Sequence, residues 1–237
     1  MLAAVINAEN AKDALNALKK AQGSDSVELR LDYAKNFDSE SKFLGDIILA
    51  AKRRRMPIIV TNRKKEEGGA FCGSEDKRIS ALKMAIQLGA DYIDIEYSTG
   101  KRIIKSLIYS KKNTKVIVSY HNFNETPSNL KQIYLDIKRL KPDIIKIATI
   151  ANSASDNFKV FDLINLAGKE KRKIIAFCMG SYGQFSRILS MILGSQAAYA
   201  SIENGKESAA GQLTMGEMKD VYRIGKLNKN TRIAGLI

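Results

Sequence analysis

The 237-residue sequence contains no tryptophan, one histidine, two cysteines and three prolines. Cys72 and Cys178 are too few and too far apart to frame a disulfide scaffold or a four-ligand zinc site, which points to a reducing compartment. A single histidine among scattered carboxylates gives little support to a metal centre, and none is expected. No Pro/Gly/Ser-rich linker divides the chain, so one domain spanning 1–237 is expected. No apolar run approaches the roughly 18 residues of a membrane span. The opening stretch MLAAVINAENAK lacks the basic flank and longer apolar segment of a signal peptide. A soluble, cytoplasmic protein with no membrane partner is expected.

What is present is ordinary for a globular chain: 45% hydrophobic and 27% charged residues, enough for a sizeable core and incompatible with long disorder. The charge is lopsided, with 39 Lys and Arg against 25 Asp and Glu, a formal +14. Such a field draws polyanions or small acidic substrates without choosing among them. Arg53-Arg54-Arg55 and the run from Lys169 to Lys173 raise the possibility of an RNA- or DNA-binding module. No nucleic-acid motif accompanies them, and basic helix ends facing water are the usual meaning of such runs, so no nucleic-acid partner is expected.

Eight short β-branched runs begin at Leu2, Val27, Pro57, Tyr92, Lys115, Asp143, Lys173 and Ala198, and read as strands. Segments of helical spacing lie between them. Leu130, Ile133, Tyr134, Ile137 and Leu140 form one such face, with Thr126 as its expected cap and Pro127 as its first residue. Another helix is expected from Thr214, where Glu217 three residues on completes a capping box. Successive strand starts fall 23 to 35 residues apart, the length of one strand-plus-helix unit. Eight such units close most simply into an α/β fold of the parallel β/α (TIM) barrel type. An open doubly wound sheet would need a Gly-rich phosphate turn after its first strand, and Ala8-Glu9-Asn10-Ala11 is not one.

In such a barrel the site lies at the carboxyl ends of the strands, so polar residues inside apolar strands become informative. Lys146 is flanked by Ile144, Ile145 and Ile147, and alternation turns it away from Ile145 and Ile147. A desolvated amine favours its neutral form, the nucleophile that makes a Schiff base with a carbonyl. The competing reading is a buried lysine paired with Asp or Glu. His121 ends the fifth strand, next to Lys146 in barrel order, and is placed to act as base and then acid. Asp94 and Glu96 share one face of the fourth strand, so that one of them is expected to hold the histidine tautomer. Glu28, Arg30 and Asp32 alternate with Val27, Leu29 and Leu31, an inward polar network suited to a hydroxylated, charged substrate. Arg63 lies in TNRKKEEGG, where Gly68 and Gly69 suggest a mobile loop, and NGKESAAGQLT after the eighth strand reads as a lid.

The motifs ELRLD, TNRKKEEGG, DIEY, VSYHNFNETP, IIKIAT, GSYGQFSR and SAAGQ, in this order, resemble those of type I 3-dehydroquinate dehydratase from end to end. The resemblance implies a barrel lyase of the shikimate pathway, usually a homodimer, that needs neither metal nor organic cofactor. It also implies roles: Lys146 as the Schiff-base lysine, His121 as the general acid/base, and Glu96 as the carboxylate that positions the histidine. Glu28, Arg30 and Arg63 match residues that hold ring hydroxyls, and Arg187, Ser208 and Gln212 match those around the substrate carboxylate. The departures are local: Tyr120 stands where many relatives differ, and Ala209-Ala210 where proline is frequent. A lysine-dependent aldolase, which also places its lysine in a barrel strand, is the other enzyme reading. It would need a phosphate site after the seventh strand.

Overall fold

The computed structural model describes residues 1–35, 42–228 and 230–232. Strands and helices alternate through β1 (Leu2–Ile6), α1 (Ala11–Lys20), β2 (Ser26–Arg30), α2 (Lys42–Arg53), β3 (Ile58–Thr61), α3 (Glu75–Gln87), β4 (Tyr92–Glu96), α4 (Lys101–Ser110), β5 (Lys115–Asn122), α5 (Leu130–Lys138), β6 (Ile144–Ile150), α6 (Asp156–Lys169), β7 (Ile174–Met179), α7 (Ser186–Leu193) and β8 (Ala198–Ser201). The eight strands form one parallel sheet in the order β7-β6-β5-β4-β3-β2-β1-β8. The remaining seam between β7 and β8 is bridged without a ladder. Gln196 N–H donates to the Ile174 carbonyl at 2.8 Å, and the rings of Phe177 and Tyr199 meet 6.5 Å apart. This is the expected eight-stranded TIM barrel, nearly closed. No helix among the described residues is long and apolar enough to cross a membrane.

Strand alternation sorts the apolar residues into two cores. Ile93, Ile95, Val116, Val118, Ile145 and Ile147 point outward and pack under the helices, with Leu18, Ile47, Leu82, Leu107, Tyr134 and Leu163 from the helical side. Ala3, Val5, Ile59, Ile117, Ile144, Ile175 and Tyr199 point inward and plug the barrel. The strand starts carry a device that the sequence reading missed. Asp25, Asp91 and Asp143 each precede an even-numbered strand, and each accepts a backbone N–H at the start of the preceding odd one, from Leu2, Ile58 and Val116 at 2.7, 2.9 and 2.8 Å. These carboxylates fix the stagger of neighbouring strands at the floor of the barrel, leaving the opposite rim for chemistry.

Three local expectations change. Helix α5 opens at Asn129, not Thr126. The Thr126 hydroxyl is drawn inward to Thr149 Oγ1 (2.8 Å) and the Ile150 carbonyl (2.7 Å), which leaves it unable to cap. The capping box at Thr214 does form: Glu217 N–H donates to Thr214 Oγ1 (3.2 Å), and Thr214 N–H to the Glu217 carboxylate (2.8 Å). Beyond it the described residues make only a π turn over Glu217–Val221 and a 3-10 turn over Ile224–Lys226. Within these turns only Met218 and Ile224 are buried, too little apolar face to sustain an α-helix, and Arg223 between them adopts a left-handed conformation. Finally, the loop after β3 is tightly packed. A Cβ on Gly69 would lie 2.0 Å from the Arg63 carbonyl oxygen, so glycine there permits a close backbone approach.

Candidate active site

Above the apolar plug the inward positions turn polar. Lys146 is 5% exposed, and its Nζ lies 2.9 Å from Asp94 Oδ2, 3.6 Å from Glu28 Oε1 and 4.2 Å from the centre of the Tyr199 ring. The lysine therefore does have an acid partner, the competing reading, while also bordering an open cavity. Register explains the grouping: Ser119 of β5 stands beside Lys146 of β6, and Glu96 of β4 stands beside Ser119. Asp94 lies one inward position below Glu96. It accepts from Ser119 Oγ (2.6 Å) and pairs with Arg63 Nη2 (2.9 Å). Arg63 Nη1 donates to Ser119 Oγ (2.7 Å) and Glu96 Oε1 (3.1 Å). Arg30 forms a bidentate pair with Asp32 at 2.9 and 2.7 Å, and Glu28 accepts from Thr61 Oγ1 at 2.7 Å. Buried charge on this scale persists only because each group is paired and hydrogen-bonded.

His121 is two residues beyond Ser119 on the same face of β5, roughly 6.6 Å nearer the mouth. The carboxylate on its ring is not Glu96. Glu67 Oε2 lies 3.0 Å from His121 Nδ1 and accepts the His121 backbone N–H at 3.2 Å, while Ser98 Oγ donates to Glu67 Oε1 at 2.6 Å. Glu96 is turned to Arg63 and to the fully buried Arg78, which also holds Glu75, Thr99 and the Asn62 carbonyl. In this structure, then, Glu96 organises the cations beneath the loop after β3, and Glu67 meets the histidine. A carboxylate acceptor at Nδ1 selects the tautomer with its proton there, leaving Nε2 as the basic atom. Burial, together with Arg63 and Lys146, holds the His121 imidazole well below its usual range, so it is neutral at pH 7.

The opposite wall belongs to Arg187, at the start of α7. It is 3% exposed, stacks on Phe177 at 4.5 Å and donates through Nη2 to the Ala210 carbonyl at 3.2 Å. No carboxylate pairs with it among the described residues, and its buried Nε has no partner. Burial alone pushes the guanidinium down to about 10. A desolvated cation left with spare donors is a site for an anion. The segment expected to act as a lid lies over it. Gln212 Oε1 accepts from Ser208 N–H (2.6 Å) and Oγ (3.1 Å), and Gly180 N–H donates to the Ala210 carbonyl (3.1 Å).

Together these groups line a cavity of about 450 Å³, including its open mouth, at the carboxyl ends of the strands. Of the residues singled out in the sequence, Glu28, Arg30, Arg63, His121, Lys146, Arg187, Ser208 and Gln212 border it, while Asp32, Asp94 and Glu96 do not. The sequence reading overlooked Glu67, Phe177 and Tyr199. Glu67 could have been found from its loop, since it precedes the paired glycines and follows Arg63 by four residues. The two aromatics carry no such signal, because an aromatic residue in a strand reads as core.

Comparison with known proteins places the whole chain. A family profile described as "Type I 3-dehydroquinase" matches residues 2–229. A 3-dehydroquinate dehydratase of Dehalococcoides mccartyi is 39% identical over 213 residues, covering 87% of this chain and 89% of that protein. One from Methanococcus maripaludis is 39% identical over 225 residues, covering 91% and 95%. Among solved structures, the 3-dehydroquinate dehydratase of Aquifex aeolicus superposes with a TM-score of 0.77 at 29% identity, covering 98% of this chain and all of that one. With a profile match running nearly the whole length of the barrel and relatives aligned over most of both chains, the chain belongs to the type I 3-dehydroquinase family.

Proposed function

We propose that this protein dehydrates 3-dehydroquinate to 3-dehydroshikimate through an imine on Lys146, with His121 as general base and then acid. The observation that carries the reading is the cavity itself: a buried amine on one wall, a neutral imidazole with its tautomer set by Glu67, and opposite them a guanidinium with no carboxylate partner among the described residues. Lys146 condenses with the ring ketone and releases water. The protonated imine then draws electrons from the adjacent carbon and acidifies its hydrogen. His121 Nε2 removes that proton, and the enamine expels the neighbouring hydroxyl, which leaves as water with the proton His121 returns. Hydrolysis frees the conjugated product and regenerates the amine. Arg187 meets the substrate carboxylate, Ser208 and Gln212 close over it, and Glu28, Arg30 and Arg63 face the ring hydroxyls.

The chemistry calls for no metal or organic cofactor, since amine and imidazole carry each step. A cytoplasmic homodimer belongs to the same reading and rests on the family resemblance. The sugar-phosphate aldolase reading needs a phosphate site after β7; in that turn Gly180 N–H is already engaged by the Ala210 carbonyl and Gly183 N–H by the Gly180 carbonyl. Absorbance of the conjugated enone reports turnover, and borohydride added with substrate or product fixes an imine for peptide mapping. The label is expected on Lys146, and Lys146→Ala should abolish turnover with the fold intact. A label on another residue sinks the assignment.

A further inference from the structure

We propose that Asp94 is the permanent counter-ion of the nitrogen at Lys146, accepting the last proton of the iminium formed there in a hydrogen bond and keeping that iminium protonated while the adjacent carbon reacts. This rests on the imine reading above. The geometry singles out one oxygen. Asp94 is fully buried, and its Oδ1 is taken by Ser119 Oγ at 2.6 Å and Arg63 Nη2 at 2.9 Å. That clamp fixes the rotation of the carboxylate and presents Oδ2 to Lys146 Nζ at 2.9 Å. Glu28 is a poorer candidate, 3.6 Å away with its Oε1 engaged by Thr61. The Tyr199 ring, 4.2 Å from Nζ, offers a π-face that also favours a cation there.

The balance of atoms shows why one counter-ion serves throughout. An ammonium and a ketone become an iminium and water: two of the three protons on nitrogen leave with the ketone oxygen, one stays, and the positive charge stays with it. A carboxylate placed for the ammonium is therefore already placed for the iminium, with no reorganisation between the two states. Asp94 does not compete for that proton. Although burial acts the other way, Arg63 and Lys146 hold its carboxyl far below the usual range, so it remains an anion. The other titratable groups lining this cavity are Glu28 and Arg30 of β2, Arg63 and Glu67 after β3, His121 of β5, Arg187 of α7 and the phenol of Tyr199 of β8, of which Glu28 and Tyr199 lie closest to the nitrogen. The inward faces of β1 and β7 contribute apolar Val5 and Phe177.

The test uses the full chain with 3-dehydroshikimate, following the imine absorbance against pH and mapping the borohydride adduct. In the wild type the label is expected on Lys146, with an absorbance that does not change across the neutral range. Asp94→Asn should still be labelled at Lys146, but its imine should lose its proton at a pH about one unit or more lower. Its kcat should fall on the order of 10²-fold, with a smaller change in KM. An unchanged pH response and kcat in this variant overturns the role of Asp94 while leaving the imine intact. Should Asp94→Asn fail to fold, the wild-type titration decides alone: an imine that deprotonates as a free one does in water overturns the proposal. Absence of label on Lys146 in the wild type overturns the imine reading, and this inference with it.

Discussion

Replacing Arg187 with methionine should make the unliganded protein more stable and bind substrate worse. The guanidinium sits at about 10 instead of 12.5, with burial as the cause and no carboxylate in compensation. At 1.36 kcal/mol for each pH unit, burying this cation costs about 3 kcal/mol. Both values lie well above neutrality, so the group stays charged and the whole cost is present at pH 7. Methionine keeps an apolar stem against Phe177 and gives up only the donor to the Ala210 carbonyl, so a net gain of roughly 1–3 kcal/mol is expected in the free protein. A bound carboxylate would supply the missing counter-charge. Removing its partner should cost roughly 2–5 kcal/mol of binding, about 30- to 4,000-fold in Kd. Gln212→Ala gives the comparison: loss of a neutral hydrogen bond, about 0.5–1.5 kcal/mol, weakens binding about 2- to 12-fold. Calorimetric Tm of the free proteins and titration with 3-dehydroshikimate measure both quantities. A methionine variant that is less stable yet binds normally, or a Gln212 variant that binds worse than the Arg187 variant, would refute the reasoning.

Three further outcomes concern the histidine. His121→Ala should still form the imine but turn over roughly 10²- to 10⁴-fold more slowly. Because His121 is held well below its ordinary value of 6.5, the acid limb of kcat/KM should fall below that pH. The same depressed value makes stability complete above the ordinary imidazole range and progressively weaker as pH falls below it, where the unfolded chain takes up a proton that the folded one refuses. An inflection at or above 6.5 contradicts the buried, neutral ring. Glu67→Gln and Glu96→Gln should separate two functions of buried carboxylates. The first should slow turnover by disturbing the His121 tautomer, with modest loss of Tm. The second should destabilise the fold by about 3–5 kcal/mol, because it strips Arg63 and Arg78 of an anion. A Glu96 variant with normal Tm but crippled turnover would reverse their roles.

Strand-plus-helix periodicity, the inward lysine and the lone histidine at a strand end were legible in the sequence because each follows from local chain geometry. Alternation sends Lys146 inward whatever its neighbours are, and eight repeated units leave few ways to close a sheet. Partner choice is different in kind, since it depends on register and on loops that fold back. Asp94 and Glu96 look equivalent two residues apart on one face of β4. Register sets Glu96 level with Ser119 and Lys146, yet Arg63 and Arg78 hold Glu96, and the lysine meets the lower carboxylate, Asp94. Only the packing of the loop after β3, with Gly69 pressed on the Arg63 carbonyl, carries Glu67 to His121 Nδ1. Thr126 bears the signature of a helix cap, yet the tertiary fold offers its hydroxyl Thr149 and the Ile150 carbonyl. Arg187 shows the same division: its motif marks it in the sequence, but the lack of a carboxylate beside it among the described residues is a property of the assembled barrel. Periodicity therefore decided which strand residues face the cavity. Which charges meet there was decided by three-dimensional proximity, because electrostatic and hydrogen-bond partners are chosen by distance in space and not by separation along the chain.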